Sequence, residues 1–197
     1  NLINSITGYK PANLIGTISP SGQTNLAIFS SVVHLGSSPA ILGMVTRPTT
    51  VERHTLQNIT NTGVYTINHV PIQHTDKAHN TSAKFSEVVS EFDACHFTPE
   101  FIDDHPAPFV KECSIKLGLK LLQKVPIEAN GTLLTIGVIE QIHLPSEWIE
   151  ADGSINLELA QTACISGLNT YYQGQRIAKY PYARVGEVST NMLTNES

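Results

Sequence analysis

Two adjoining stretches constrain this chain more than any others. In SIKLGLKLLQKVPI, residues 114–127, Ile115, Leu117, Leu119 and Leu121 alternate with Lys116, Gly118 and Lys120. Successive side chains of a strand point to opposite faces, so this period of two predicts a strand with one face in a core and the other near solvent or a ligand. The next apolar run, ANGTLLTIGVIEQIHLP, opens with Asn130-Gly131, a pair that takes up positive φ at little cost and suits a tight hairpin turn. Two adjacent antiparallel strands follow, and the rest of the chain must pack around them.

Further strands fit the short apolar runs NLIGTISP (13–20) and AILGMVT (40–46), bounded by Gly, Pro and Ser. GVYTINHVP fits a third, with Val64, Thr66 and Asn68 against Tyr65, Ile67 and His69. Helix signals are fewer. Thr49 followed by Glu52 matches a capping box, and Gly63 supplies a stop after Leu56 and Ile59, so a helix is expected from about Thr50 to Thr62. Others are expected in PIQHTDKAHNTS (71–82) and NLELAQTAC (156–164). There is no strand–helix–strand rhythm, internal repeat or linker. The expectation is one domain over residues 1–197, mainly β with a few short helices, closed as a barrel.

Composition narrows the partners. Hydrophobic residues make up 41% and charged residues 15%, a globular balance. The formal net charge is -5, and the 12 Lys and Arg are scattered singly, which offers no basic stripe for a polyphosphate backbone. Nucleic acid is therefore not an expected partner. No apolar stretch reaches the roughly 20 residues that cross a bilayer, and NLINSITGYK lacks the apolar centre of a signal peptide. Cys95, Cys113 and Cys164 are odd in number and form no C-x-x-C pair, so they read as reduced thiols in a cytoplasmic protein.

The chemistry gathers in three polar strings. In VTRPTTVERHTLQNI (45–59), Arg47 precedes the expected helix start, and Arg53 and His54 lie one turn in. Unpaired N–H groups and the helix dipole at such a start suit a phosphate monoester. The plainer alternative is that Thr49 only caps a helix and Arg47 pairs with a surface carboxylate. SGQTNLAIFSSVVHLGSSPA places Asn25, Ser30 and Ser31 after a Gly-containing turn, and AHNTSAKFSEVVSEF offers His79, Thr81, Ser82 and Lys84.

Other chemistries are poorly served. Ser30 and His34 stand four apart, but no G-x-S-x-G elbow surrounds the serine and no acidic third member is evident. His69, His74 and His79 recur every five residues, which sets them about 140° apart on a helix. Pro71 interrupts the run, so a metal site is not expected. There is no G-x-G-x-x-G turn, so a nicotinamide nucleotide could visit only transiently.

Taken together, N-L-A-x-F-S-S (25–31), R-P-T-T-x-x-R-H-T-x-x-N-I (47–59), H-x-T-S-A-K-F (79–85) and ISGLNTYY (165–172) resemble the flavin reductase-like family, which includes flavoredoxins. Their order and spacing carry the resemblance, from about Asn13 to Tyr172. It implies an FMN-binding split β-barrel and a homodimer with one FMN per subunit near the interface. The implied activity is oxidoreduction, with NAD(P)H as transient electron donor and free flavin, a redox protein or another small acceptor taking the electrons. The alternative is a flavoredoxin-type carrier that does not oxidise NAD(P)H directly. A third reading is a ligand- or haem-binding barrel without redox turnover.

On this resemblance, Asn25, Ser30 and Ser31 would serve the ring's pyrimidine edge. Arg47, Thr50, Arg53, His54 and Lys84 would serve the phosphate, with Thr81 and Ser82 approaching beside Lys84. His79 is the side chain to test first near the ring, with no general acid or base assigned. Asn169, Tyr171 and Tyr172 form a second candidate group.

Overall fold

The computed structural model of the protein describes residues 1–48 and 53–195. Thr49, Thr50 and Glu52, and with them the expected capping box, lie outside the described residues.

In chain order the elements are α1 (Leu2–Ser5), β1 (Lys10–Pro11), β2 (Asn13–Ile18), β3 (Thr24–Phe29), β4 (Val32–Ser37), β5 (Ala40–Thr46), α2 (His54–Thr62) and β6 (Val64–His69). A single 3-10 turn, Ile72–His74, leads into α3 (Thr75–Asn80) and then α4 (Glu91–Ala94). Next come β7 (Pro99–Glu100), β8 (Phe109–Val110), β9 (Lys116–Ile127), β10 (Thr132–His143), β11 (Ala163–Ser166) and β12 (Thr170–Gln173). The mainly β split-barrel architecture expected from the sequence is thus the one observed.

The expected hairpin is the centre of the fold. β9 and β10 pair antiparallel along their length, with register shifts at Ile136/Gly137 and Ile139/Gln141 that add twist. Gly131 supplies the turn with φ 69, and Asn130 Oδ1 accepts the Thr132 N–H at 3.0 Å. Around this pair the seven-stranded sheet runs β3-β2-β6-β9-β10-β5-β4, every neighbour antiparallel. β1, β11 and β12 form a second, three-stranded sheet.

Alternation then assigns the interior. Ile15, Met44, Tyr65, Ile67, Leu117 and Leu119 fill one cluster against Ile59 of α2. Leu14 and Leu26, on the opposite face, join Val70, Phe92, Phe97 and Ile165 in a second. β2 is buried on both faces because it lies between the two clusters. Packing at the first cluster is close: a Cβ on Gly137 would run into the Tyr65 hydroxyl.

Three local expectations are corrected. The second helix begins at His54 rather than Thr50, with Arg53 as its N-cap in extended conformation (φ -130, ψ 91). Its end is as expected, for Gly63 takes φ 75 and its N–H returns to Ile59 O at 2.9 Å. Residues 156–164 are not helical. Asn156 Oδ1 ties the Leu159 N–H at 3.1 Å and Gln161 turns at φ 49, while Leu157 and Leu159 stay exposed; apolar residues at helical spacing had no surface to cover. Lys116, expected near solvent, is 8% exposed and paired with Glu100.

Candidate functional site

The site is organised by an edge strand. β3 pairs with β2 through Asn25, Ala27 and Phe29 opposite Thr17, Ile15 and Asn13, and has no strand on its other side. A bare edge is a liability, because its N–H and C=O groups seek partners. Here side chains cover it in sequence. Glu91 Oε2, from the first turn of α4, accepts the Leu26 N–H at 3.0 Å, and Thr24 Oγ1 meets Ser90 Oγ at 2.8 Å. Thr81 Oγ1 accepts the Ile28 N–H at 2.9 Å and donates to Ala78 O at 2.8 Å. Ser30 stands two residues further along the same edge.

The neighbouring segments are tied to that edge. Ser31 Oγ donates to Val45 O at 2.9 Å and accepts the Val45 N–H at 3.1 Å, which brings the end of β5, and Arg47 beyond it, beside the β3–β4 link. Asn25 is 6% exposed; its amide donates to Thr55 Oγ1 at 3.0 Å and Thr17 Oγ1 at 3.3 Å, joining β3 to the first turn of α2. Its amide nitrogen is therefore spent on holding the site together.

The chemistry at this junction is unfinished. Arg53 Nε is buried with no hydrogen-bond partner among the described residues. A buried cationic donor without an acceptor is costly, so the site calls for an oxygen-rich anion. His54 lies close enough to Glu91 to favour that carboxylate's ionised form, as do the N–H groups of Leu26 and of Glu91 itself, yet burial is the largest influence and raises the Glu91 carboxyl. Arg47, Ser82 and Lys84 are exposed, Ser30 half-buried.

His79 and Tyr171, named separately from the sequence, meet in the structure. His79 Nδ1 lies 3.1 Å from the Tyr171 hydroxyl, with the rings edge-on at 5.8 Å. Burial pushes the phenol up to about 12, so it stays neutral near pH 7. Tyr171, Ile28 and Phe85 pack on the same buried cluster, which sets the pair beside the edge strand. Tyr172 points the other way and packs on Tyr9 with ring centroids 4.8 Å apart; Asn169 is exposed. His69, His74 and His79 do not converge, and no group of three metal-ligating side chains occurs among the described residues.

Two cavities flank these elements. One, of about 490 Å³, is lined by Asn25 and His54 among the nominated residues. The other, of about 580 Å³, lies under the segment from Gly174 to Lys179 and touches none of them. Its cations Arg176 and Lys179 are paired with Glu150, and Lys10 donates to Gly167 O at 2.9 Å. With its charges internally satisfied, that cavity has less call for an anion than the junction at Arg53.

Sequence reasoning passed over Glu91 and the polar face of α2. Glu91 sits in SEF, an acid flanked by residues that become buried, and such an acid needs a donor close by. The α2 face was visible as His54, Gln57, Asn58 and Asn61, at spacings of three and four.

Comparison with known proteins bears on the fold and the family. The family profile described as "Flavin reductase like domain" matches residues 9–163. A split-barrel protein from Shewanella frigidimarina NCIMB 400, assigned as a flavin reductase, is 46% identical, with a TM-score of 0.89 over 92% of this chain and 90% of that one. Nitrilotriacetate monooxygenase component B from Bacillus cereus is 19% identical (TM-score 0.82; 89% of this chain, 90% of that one), and flavoredoxin of Desulfovibrio vulgaris (Miyazaki F) 21% (0.77; 91% and 94%). These two share the fold. An uncharacterized protein of Aquifex aeolicus (strain VF5) is 28% identical over 120 residues, 60% of this chain and 61% of its own length. The profile match, spanning most of the chain, and the Shewanella relative place this chain in the flavin reductase-like family.

Proposed function

We propose that the protein binds FMN at the β3 edge and uses it to pass electrons from NAD(P)H to free flavin, a redox protein or another small acceptor. The observation that carries the reading is the buried Arg53 Nε, without a hydrogen-bond partner among the described residues, where β3, the end of β5 and the start of α2 converge. A phosphate monoester is the ligand group that satisfies such a donor through charge-assisted hydrogen bonds. Arg53, with Arg47, Thr50, His54 and Lys84, would hold the phosphate. The Ser30–Ser31 link offers hydroxyl and backbone groups to the pyrimidine edge. When bound, the flavin supplies hydride and single-electron chemistry. The chain's own part is to place the ring, bond its edge and exclude water; Thr81 and Glu91 keep the edge strand closed up to Ile28, and the His79–Tyr171 pair stands beside it.

A homodimer belongs to the same reading. β4 is the other edge of the large sheet and exposes Val33 and Leu35, a combination that a partner subunit would cover. Cytoplasmic residence is proposed from the three free thiols, two of them buried. No helix among the described residues is long and apolar enough to cross a membrane.

The test of the cofactor is direct. Denaturing the purified protein should release a yellow chromophore that co-migrates with FMN and restores the visible spectrum on titration back. A Soret band, or a colourless protein that FMN cannot titrate, overturns the reading.

A further inference from the structure

The cavity of about 490 Å³ beside His54 is lined chiefly by neutral hydrogen-bonding groups. One wall is the face of α2 carrying His54, Gln57, Asn58 and Asn61, a stripe that follows the helical repeat; the buried Asn58 amide already donates to Thr17 Oγ1 at 3.2 Å, while Gln57 and Asn61 are exposed. The facing wall is the β2–β3 hairpin, which contributes Ser21, Gln23 and Thr24. The third side is the segment Glu87–Val89, in which Val88 is 83% and Val89 40% exposed.

Amide side chains pair with the edge of a purine through a donor and an acceptor at once. An exposed aliphatic lip gives the base a face to lie on. A carboxylate such as Glu87 accepts from a ribose diol and repels a phosphate in the same place. Among the described residues no lysine or arginine lines the cleft. Its one imidazole, His54, adjoins Arg53, which sets the cleft beside the proposed flavin phosphate site.

We propose that this cleft is an adenosine subsite that takes the 5′-AMP moiety of a dinucleotide with a free 2′-hydroxyl. The base lies against Val88 and Val89 with its edge on the Gln57 and Asn61 amides, and the ribose diol meets Glu87. The inference deepens the redox reading and rests on it for the source of the ligand, either NADH or FAD; the selectivity against a 2′-phosphate belongs to the cleft alone.

The experiment is a titration of the purified protein with 5′-AMP, read by the NMR signals of the Gln57 and Asn61 side-chain amides. Adenosine 2′,5′-bisphosphate serves as the comparison. Saturable shifts with 5′-AMP and at least tenfold weaker binding of the bisphosphate are expected, and Glu87→Lys should reverse the order. Absent shifts, or equal binding of the two nucleotides, overturn the proposal. Two arms identify the source. NADH moving these amides where NADPH does not assigns the cleft to the electron donor, and FAD binding more tightly than FMN to flavin-free protein assigns it to the cofactor. Neither NADH nor FAD reaching the amides also overturns it. The titration is readable whether or not nicotinamide reduces a flavin, so failure of the redox reading and failure of the subsite are told apart.

Discussion

Thr81 Oγ1 accepts the backbone N–H of Ile28 at 2.9 Å across 53 residues of chain, and donates a hydrogen bond to Ala78 O. One buried hydroxyl thereby closes the edge of β3 and fixes the end of α3, so the segment carrying Ser82 and Lys84 is held against the strand that leads to Ser30. Thr81→Val keeps the shape and removes both bonds, leaving a buried N–H unpaired. A loss of about 1–3 kcal/mol is expected, read as a lower urea midpoint at unchanged slope. Thr81→Ser, which keeps the oxygen, should retain most of it.

Arg53 gives the sharpest ligand test. Arg53→Ala should weaken FMN relative to riboflavin by roughly 1.5–3 kcal/mol, the value of a charged hydrogen bond to phosphate. Arg47, which is exposed, should show the same preference with a smaller loss. Fluorescence titration of both flavins against each variant reads the difference. Equal weakening of FMN and riboflavin would remove Arg53 from the phosphate site.

His69 predicts an acid limb to stability. Burial pulls its imidazole from 6.5 down to about 4, so between those values the unfolded chain takes up a proton that the folded one refuses, and stability falls as pH drops. The penalty is complete below the folded value and is limited to about 3 kcal/mol. His69→Asn should flatten denaturation midpoints between pH 6.5 and 4 relative to the parent. An unchanged slope would place the acid sensitivity elsewhere.

Gly137 tests the packing of the first cluster. Because a Cβ there meets the Tyr65 hydroxyl first and ring atoms at 2.9–3.0 Å next, Gly137→Ala should cost about 1–3 kcal/mol. Adding Tyr65→Phe should recover part of that loss, and thermal melts of the four combinations measure the coupling. Strict additivity of the two changes would show that the hydroxyl is not what the methyl strikes.

These contacts also show which features the sequence could carry. Strands β6 and β9 were legible because alternation is local, and β5 and β10 because their apolar runs are bounded by turn residues, although β6 and the start of β9 are buried on both faces. The stop at Gly63 was legible for the same reason, since positive φ is a property of one residue. The false helix over 156–164 had apolar spacing but no surface to bury, which no local pattern reveals. Lys116 breaks its strand's alternation because Glu100, sixteen residues earlier on β7, pairs with it. The four polar strings of the site were visible as strings. That His79 touches Tyr171, 92 residues away, and that Arg53 Nε has no acceptor among the described residues are tertiary facts with no local trace.

On the proposed function, nicotinamide electrons enter this protein through a flavin held at the β3 edge. Anaerobic stopped-flow mixing of the FMN-loaded protein with NADH and NADPH tests it most directly. Rapid bleaching of the oxidised flavin band is expected with NADH, slowed in Arg53→Ala in proportion to lost FMN. A fully loaded protein whose flavin stays oxidised with both nucleotides, yet is reduced by a redox protein, would contradict it and make the protein an electron carrier.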